Sequence, residues 1–246
     1  MFYVMLTLEY DGSCFSGWQV QPNQRTIQSE LLRALSLVLR EEVTWILASG
    51  RTDSGVHAKG QTAVFRCEKE PNLRRLIMAV SNILKNEVSV LAAEIVSKDF
   101  HPIRDVKRKH YRYTIYRHPA PPVQDIGRVW HLSAPLDIDL MQSNAETLNG
   151  EHDFSSFRCS GCMSPDPVKT IYQSRIEVNG NYLFYDVIGS GFLKQMVRVI
   201  IGTLVEGARK DTQLLPIAEI LKLKDRTAAG PTAPAHGLCL MSVDYV

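Results

Sequence analysis

Apolar and polar side chains alternate along the start of the chain, from Phe2 to Tyr10, with a period of two. Such alternation is typical of a β-strand whose two faces differ in polarity. After Thr26, a good N-cap, apolar residues recur every three or four positions and predict a helix. Pro71-Asn72 opens a second helix of the same kind. Further strands are predicted at residues 43–48, 61–66, 88–96, 111–116, 171–178, 182–188 and 238–245, and further helices at residues 140–148, 192–206 and 216–222.

Charged residues dominate the stretch 98–110, which predicts a crossover between two halves of similar size. Each half mixes strands with helices. In the second half, Asn179-Gly180 separates two alternating runs and predicts a hairpin with a type I′ turn. We therefore predict an α+β fold of two domains, residues 1–105 and 106–246, each built on a largely antiparallel sheet.

The composition is that of an ordinary globular protein, with 45% hydrophobic residues among 246. Its 28 Lys and Arg residues nearly balance 26 Asp and Glu residues, so a nucleic-acid surface would have to come from local clustering. The N-terminus lacks the basic region and cleavage site of a signal peptide, and apolar runs such as 199–205 are far shorter than the ~20 residues of a membrane span. We expect a protein of the cytoplasm, or of an equivalent organelle interior, without a membrane partner.

The five cysteines form an odd set that fits a reducing compartment better than a disulfide framework. Only Cys159 and Cys162 have the spacing of a metal-ligand pair. A structural zinc site needs about four ligands, and neither a second Cys pair nor a His pair follows. We expect two free thiols and no metal site, with a redox pair as the lesser alternative.

The segment 48–58 is the densest group of chemically competent side chains in the sequence. It follows an apolar strand and reads Ala-Ser-Gly-Arg-Thr-Asp-Ser-Gly-Val-His-Ala, with glycines bracketing Asp53. Glycine permits the sharp turns that present a side chain outward, so Asp53 is the candidate catalytic group and Arg51 is a candidate to orient it. The alternative is a solvated turn with a surface ion pair between Arg51 and Asp53. His57 is as consistent with a structural hydrogen bond, and we assign it no catalytic role.

A basic run, Lys107, Arg108 and Lys109, stands next to tyrosines in the predicted strand 111–116. Aromatic stacking combined with phosphate neutralisation is how splayed nucleotides are held, so this segment is the candidate RNA-contacting surface. Tyr111 borders the basic run and is the candidate stacking residue. Tyr113 shares its strand face and is expected to lie in the core. Trp18, in the loop after the first strand, is equally consistent with RNA contact and with closing the core.

The sequence Gly-Arg-Thr-Asp-Ser-Gly-Val-His-Ala around Asp53 resembles the active-site signature of the tRNA pseudouridine synthase A (TruA) family. The resemblance extends over nearly the whole chain, because further segments stand in family order. These are Tyr10-Asp11-Gly12 with Phe15-Ser16-Gly17-Trp18-Gln19, then Lys109-His110-Tyr111-Arg112-Tyr113, Asp153-Phe154-Ser155-Ser156-Phe157 and Phe192-Leu193-Lys194-Gln195-Met196-Val197-Arg198.

The resemblance implies a pseudouridine synthase fold, in which two α/β domains with largely antiparallel sheets face each other across a central cleft. It implies that Asp53 is catalytic and that Arg198 comes to the same site. It also implies that Tyr111 stacks on the target base and takes part in catalysis by proton transfer at C5. The implied substrate is uridine on the 3′ side of the tRNA anticodon stem and loop, isomerised by a homodimer without a cofactor. The sequence departs from the family pattern where Pro102-Ile103 precede Arg104, which puts a contact of Arg104 with the site in doubt.

Two other classes of function compete with this interpretation. An RNA-binding module without catalysis would explain the basic and aromatic segment but leave the Asp53 loop unexplained. A glycosidase generally needs two carboxylates flanking the bond, and a two-metal nuclease needs several acidic ligands. The loop around Asp53 supplies one carboxylate among cations.

Overall fold

The computed structural model describes residues 1–162 and 164–245, and the chain forms two compact units. The first unit comprises Met1–Lys107 and the C-terminal segment from Cys239 on, and the second comprises Arg108–Leu238. The predicted domains at residues 1–105 and 106–246 stay a prediction. In the structure the chain passes between the units at Lys107/Arg108, and the closing strand groups with the first unit because it pairs with a strand there.

The first unit contains a sheet whose central strands run antiparallel. Strand β1 pairs with β3 on one side and β4 on the other, β2 also pairs with β3, and β10 runs parallel to β3. Helix α1 is capped at Thr26 and buries one apolar stripe, and helix α2 is capped at Asn72. These elements are β1 (Phe2–Tyr10), α1 (Ile27–Leu39), β2 (Ile46–Ala48), β3 (His57–Cys67), α2 (Leu73–Ile83), β4 (Val88–Val96) and β10 (Leu238–Asp244).

In the second unit the strands lie antiparallel in the order β5-β9-β8-β7, with β6 parallel to β5. Helix α4 is buried along nearly its whole length and forms the centre of this core. The elements are β5 (Arg108–Arg117), β6 (Trp130–Leu132), α3 (Ile138–Glu146), β7 (Gly150–Asp153), β8 (Val168–Asn179), β9 (Tyr182–Gly189), α4 (Met196–Gly207) and α5 (Ile217–Leu223). The predicted α+β class with largely antiparallel sheets is confirmed.

The hairpin between β8 and β9 is confirmed, but its predicted turn type is wrong. Asn179 pairs with Tyr182, so the two loop residues are Gly180 and Asn181. Gly180 has φ +56°, and neither Asn179 nor Asn181 has a positive φ. A positive φ at the first loop residue alone is the type II′ pattern, in which glycine takes that position.

Helix α4 begins at Met196, four residues later than the predicted start at residue 192. Gln195 adopts a left-handed conformation with φ +60°, which the helix cannot continue through. The chain before Gln195 is therefore a loop, and Phe192 in that loop is available to pack on β5. Within the helix, a Cβ at Gly202 would lie 1.8 Å from the carbonyl oxygen of Pro231, so only glycine allows the segment after α5 to pack here.

Candidate active site

Asp53 lies in a tight turn between β2 and β3. Its carbonyl oxygen accepts a hydrogen bond from the backbone N–H of Val56 at 3.1 Å, which closes the turn around Ser54 and Gly55. Gly55 has φ +80°, the value that the third residue of a type II turn requires. The turn leaves Asp53 half-buried and Arg51 exposed. Of the two glycines that flank Asp53 in the sequence, Gly55 is therefore required by its backbone conformation.

The loop that follows β1 forms hydrogen bonds with this turn. The backbone N–H of Trp18 donates to the carbonyl oxygen of Thr52 at 3.1 Å, and the Ser54 hydroxyl donates to the carbonyl oxygen of Phe15 at 3.1 Å. Trp18 is 2% exposed and Phe15 is 3% exposed. Of the two roles considered for Trp18, the structure supports closing the core.

His57 joins the same loop to the start of β3. Its Nδ1 accepts a hydrogen bond from the backbone N–H of Gly12 at 3.1 Å and lies 3.2 Å from Oδ1 of Asp11. The imidazole is buried, and a Cβ at Gly12 would lie 2.1 Å from the carbonyl oxygen of Val56. His57 is therefore a structural hydrogen-bonding residue that holds two loops in close contact.

In the second unit, Tyr111 presents its ring beside Phe192. The two ring centroids are 5.2 Å apart and the planes are nearly perpendicular, at 87°, which is a favourable edge-to-face arrangement. Phe192 also packs against Gly189, where a Cβ would lie 3.2 Å from its Cζ. Tyr113 is fully buried and donates to the carbonyl oxygen of Pro234 at 2.8 Å, which confirms it as a core residue. The part played by Phe192 was missed from sequence, because its contact depends on where α4 begins.

Arg198 lies in the first turn of α4 and is half-buried. Its Nε donates to the carbonyl oxygen of Ala233 at 2.9 Å, and the backbone N–H of Ala233 donates back to the carbonyl oxygen of Arg198 at 3.0 Å. This reciprocal pair fixes the orientation of the guanidinium. Arg51 and Asp53 lie in the first unit, whereas Tyr111 and Arg198 lie in the second, and their approach to one site stays a prediction.

The basic run does not form one surface. Lys107 and Arg108 are exposed, whereas Lys109 is half-buried, and burial lowers its pKa to about 8. Side chains alternate along a strand, so Lys109 shares a face of β5 with Tyr111 while Arg108 faces the other side. Lys109 is directly opposite Gly189 on β9. Because Gly189 has no side chain, Phe192 packs close to the backbone at this position.

The opposite face of β5 carries a charged cluster that the sequence did not predict. Asp186 on β9 accepts two hydrogen bonds from Arg112, each 2.9 Å long, and one contact from Nε2 of His110 at 2.6 Å. Burial raises the pKa of Asp186, but the hydrogen bonds from His110 and Arg112 outweigh it and lower the pKa to about 2. These side chains are 76 and 74 residues from Asp186 in sequence, which is why local patterns did not reveal them.

Two other residues singled out from sequence also have defined surroundings. Arg104 is exposed and forms an ion pair with Asp105 at 2.8 Å while donating to the carbonyl oxygen of Asp99. Cys159 and Cys162 are free thiols, and the sulfur of Cys162 accepts from the backbone N–H of Lys194 at 3.5 Å. In the described part of the chain, no three His, Cys, Asp or Glu side chains converge as metal ligands would.

Comparison with known proteins places these features in a family. The model of the family described as tRNA pseudouridine synthase matches residues 145–246. A tRNA pseudouridine synthase A from Pelobacter propionicus is 42% identical and aligns over 98% of this chain and 99% of its own length. The chain belongs to the tRNA pseudouridine synthase A family. Other members from Moorella thermoacetica and Wolbachia pipientis wMel are 43% and 41% identical, each over 98% of both chains.

Family membership thus extends across both units, including the Asp53 turn, which lies outside the segment that the family model matches. No helix among residues 1–162 and 164–245 has the length and apolar character needed to cross a bilayer.

Proposed function

We propose that this protein isomerises uridine to pseudouridine in tRNA, with Asp53 as its essential catalytic carboxylate. The observation that carries the proposal is the turn at Asp53, which stands at the centre of the matching signature and is built by Gly55 at φ +80° to present one carboxylate. Relatives that align over nearly the whole chain are tRNA pseudouridine synthases A, which supports the same reaction here.

The reaction balances within one nucleotide. The bond between N1 and C1′ breaks, a bond between C5 and C1′ forms, C5 gives up its proton and N1 takes one. Asp53 acts either by covalent attack or by removing a proton, and the uracil serves as both leaving group and incoming nucleophile. Because no electrons or groups are exchanged with another molecule, the proposed reaction uses no cofactor and no metal.

The target base must leave its stack before the bond can be reached. We propose that the ring of Tyr111 receives the base, with Phe192 holding that ring by its edge-to-face contact. Arg198, oriented by Ala233, is proposed to come to the Asp53 carboxylate, and Arg51 to orient it. Aromatic stacking of this kind contributes about 1–3 kcal/mol per base.

The substrate and setting follow from the family resemblance. We propose that the protein modifies uridines on the 3′ side of the anticodon stem and loop, acts as a homodimer, and works in the cytoplasm. Lys107, Arg108 and Lys109 are proposed to contact tRNA phosphates, with Lys109 nearest to Tyr111 along the strand face. Phosphate contacts supply affinity and register, whereas Asp53 supplies chemistry.

An RNA-binding module without catalysis is the second candidate, and one experiment separates it from the enzyme. A tRNA transcript with uridine tritiated at C5 is incubated with the parent protein and tritium release is measured. The tRNA is then cut into fragments by a nuclease, and the modified nucleosides of each fragment are identified. We expect tritium release and pseudouridine only in the anticodon stem and loop. An RNA-binding module would release no tritium. Free uracil would indicate a glycosidase, and strand cleavage that stops in excess chelator would indicate a nuclease.

The Asp53 variants complete the test. Asp53→Ala and Asp53→Asn should bind tRNA about as well as the parent and release no tritium, because one carboxylate adds little to affinity for a polyanion. Asp105→Ala is the matched control, since it also removes a half-buried loop carboxylate, here one paired with Arg104. It should keep full turnover. Pseudouridine formation by Asp53→Ala would overturn the assignment of the catalytic carboxylate.

A further inference from the structure

A buried hydrogen-bond network lies beneath the Asp53 turn and centres on Gln61. Gln61 is 0% exposed, and all four hydrogen-bonding positions of its amide are used. Its Oε1 accepts from the Ser49 hydroxyl at 2.7 Å and from the backbone N–H of Thr62 at 3.1 Å. Its Nε2 donates to the carbonyl oxygen of Gly50 at 3.0 Å and to the Tyr10 hydroxyl at 3.4 Å.

The two backbone partners determine which way the amide points. A backbone N–H can only donate and a carbonyl can only accept, so Thr62 requires oxygen on its side of Gln61 and Gly50 requires nitrogen. The Tyr10 hydroxyl then accepts from Nε2 of Gln61 and forms a second hydrogen bond with Oγ1 of Thr52, 2.8 Å away. A continuous hydrogen-bonded path therefore links Gln61 through Tyr10 to Thr52.

The backbone of β3 is arranged to aim Gln61 at this network. The register between β1 and β3 shifts between Leu8, which pairs with Gln61, and Tyr10, which pairs with Ala58. Such a bulge redirects the side chains next to it. Within the bulge, a Cβ at Gly60 would lie 2.6 Å from the carbonyl oxygen of Met241 on β10, so the strand is closely packed at this point.

The network binds Gly50 and Thr52, the two residues that flank Arg51, and Thr52 also directly precedes Asp53. Gly50 is bound through its carbonyl oxygen and Thr52 through its side chain, and Thr52 is 7% exposed although it lies in a surface loop. We propose that Gln61, acting through Tyr10, is a positioning residue for Arg51 and Asp53 and sets the rate of the isomerisation without touching the RNA. This inference rests on the proposed function.

Tyr10→Phe removes the link between Gln61 and Thr52 while keeping the ring, and Gln61→Met removes the hub at similar volume. Tyr185→Phe is the matched control, because the Tyr185 hydroxyl is equally buried and pairs with the Ser174 hydroxyl at 3.0 Å within the second unit. Four quantities are measured for each protein: kcat and KM for tRNA by tritium release, the melting temperature, and amide hydrogen exchange of residues 50–56.

We expect kcat to fall about 10- to 100-fold in Tyr10→Phe and Gln61→Met, with KM changed less than about twofold, because a small misplacement of a catalytic group costs rate rather than binding. Exchange of residues 50–56 should accelerate in both variants. Tyr185→Phe should lower the melting temperature to a similar extent as Tyr10→Phe and leave kcat and that exchange unchanged.

The inference is overturned if kcat in Tyr10→Phe falls no further than in Tyr185→Phe, or if exchange of residues 50–56 is the same in all four proteins. A parent protein that forms no pseudouridine would instead overturn the proposed function. Hydrogen exchange would still show whether the network orders residues 50–56. Failure of the positioning inference is therefore distinguishable from failure of the proposed function.

Discussion

Arg112 on β5 and Asp186 on β9 are directly paired residues whose side chains form two parallel hydrogen bonds of 2.9 Å across the sheet. Asp186 is 2% exposed, whereas the side chains of Arg112 and His110 are 33% and 24% exposed, so a buried carboxylate forms a bidentate ion pair with a half-buried guanidinium and His110 is the third member. Replacing Arg112 would leave the buried Asp186 carboxylate without its guanidinium partner. The cluster therefore stabilises the second unit on the sheet face opposite Tyr111.

The Arg112–Asp186 pair should make the free energy of unfolding depend on pH in the acid range. The pKa of Asp186 is about 2 in the folded protein, below the ~3.9 of an unperturbed Asp, so its contribution is complete above pH ~4 and is lost as pH falls toward 2. We expect that loss to be about 2–3 kcal/mol in the free energy of unfolding. Urea unfolding of the parent and of Asp186→Asn between pH 2 and 6 measures it.

The parent should be the more stable protein above pH ~4, and the difference should shrink as the carboxyl protonates below that pH. Asp105→Asn provides the control, because the ion pair of Asp105 with the exposed Arg104 lies at the surface and should contribute little. A difference between parent and Asp186→Asn that stays constant from pH 6 to pH 2 would contradict the assignment.

Tyr111 allows stacking to be separated from hydroxyl chemistry. Tyr111→Phe keeps the ring and its contact with Phe192, whereas Tyr111→Leu removes both. We expect Tyr111→Leu to weaken binding of the target nucleotide by about 1–3 kcal/mol and Tyr111→Phe to weaken it far less. Equilibrium binding to an anticodon stem-loop RNA is the measurement. Equal losses in the two variants would show that the hydroxyl, and not the ring, holds the base.

Lys109 should behave differently from its neighbours in the basic run. It shares the strand face of Tyr111, and its pKa of about 8 means that its charge is lost between pH 7 and pH 9. We expect tRNA affinity of the parent to fall over that range, and the fall to disappear in Lys109→Arg, which keeps its charge. Lys107→Arg is the control and should leave the parent's pH dependence in place. Affinity that is flat from pH 7 to pH 9 in the parent would exclude a phosphate contact by Lys109.

Two glycines in α4 test the packing that orients Arg198. Gly202→Ala places a Cβ 1.8 Å from the carbonyl oxygen of Pro231, so we expect destabilisation of about 1–3 kcal/mol or more and displacement of the segment containing Ala233. Gly207→Ala lies in the same helix with nothing within 4 Å of the new Cβ, and it should be neutral or stabilising by up to ~1 kcal/mol. Thermal unfolding and kcat check both variants. A stable, fully active Gly202→Ala protein would contradict the role given to this close contact.

The predictions that local sequence supported best were those whose causes are local. Thr26 caps its helix as expected, and the second helix opens at Asn72 as predicted, because an N-cap bonds to backbone two or three residues away. Strands β1 and β4 have the predicted bounds, since alternation with period two requires only one buried face. The turn at Asp53 likewise follows from Gly55 within the same segment.

What the sequence did not reveal depends on residues that are far apart in the chain. Gln61 looked like an ordinary strand residue, because its partners Tyr10 and Ser49 meet it only through strand pairing. The basic run looked uniform, whereas the pleat of β5 sends Lys109 to one face and Arg108 to the other. The late start of α4, which frees Phe192 to hold Tyr111, comes from a left-handed Gln195 that no local propensity favours. The local sequence around Asp53 was sufficient to predict its chemistry. The hydrogen-bond network that positions Asp53 could not be predicted, because it forms only when distant strands pair in the folded protein.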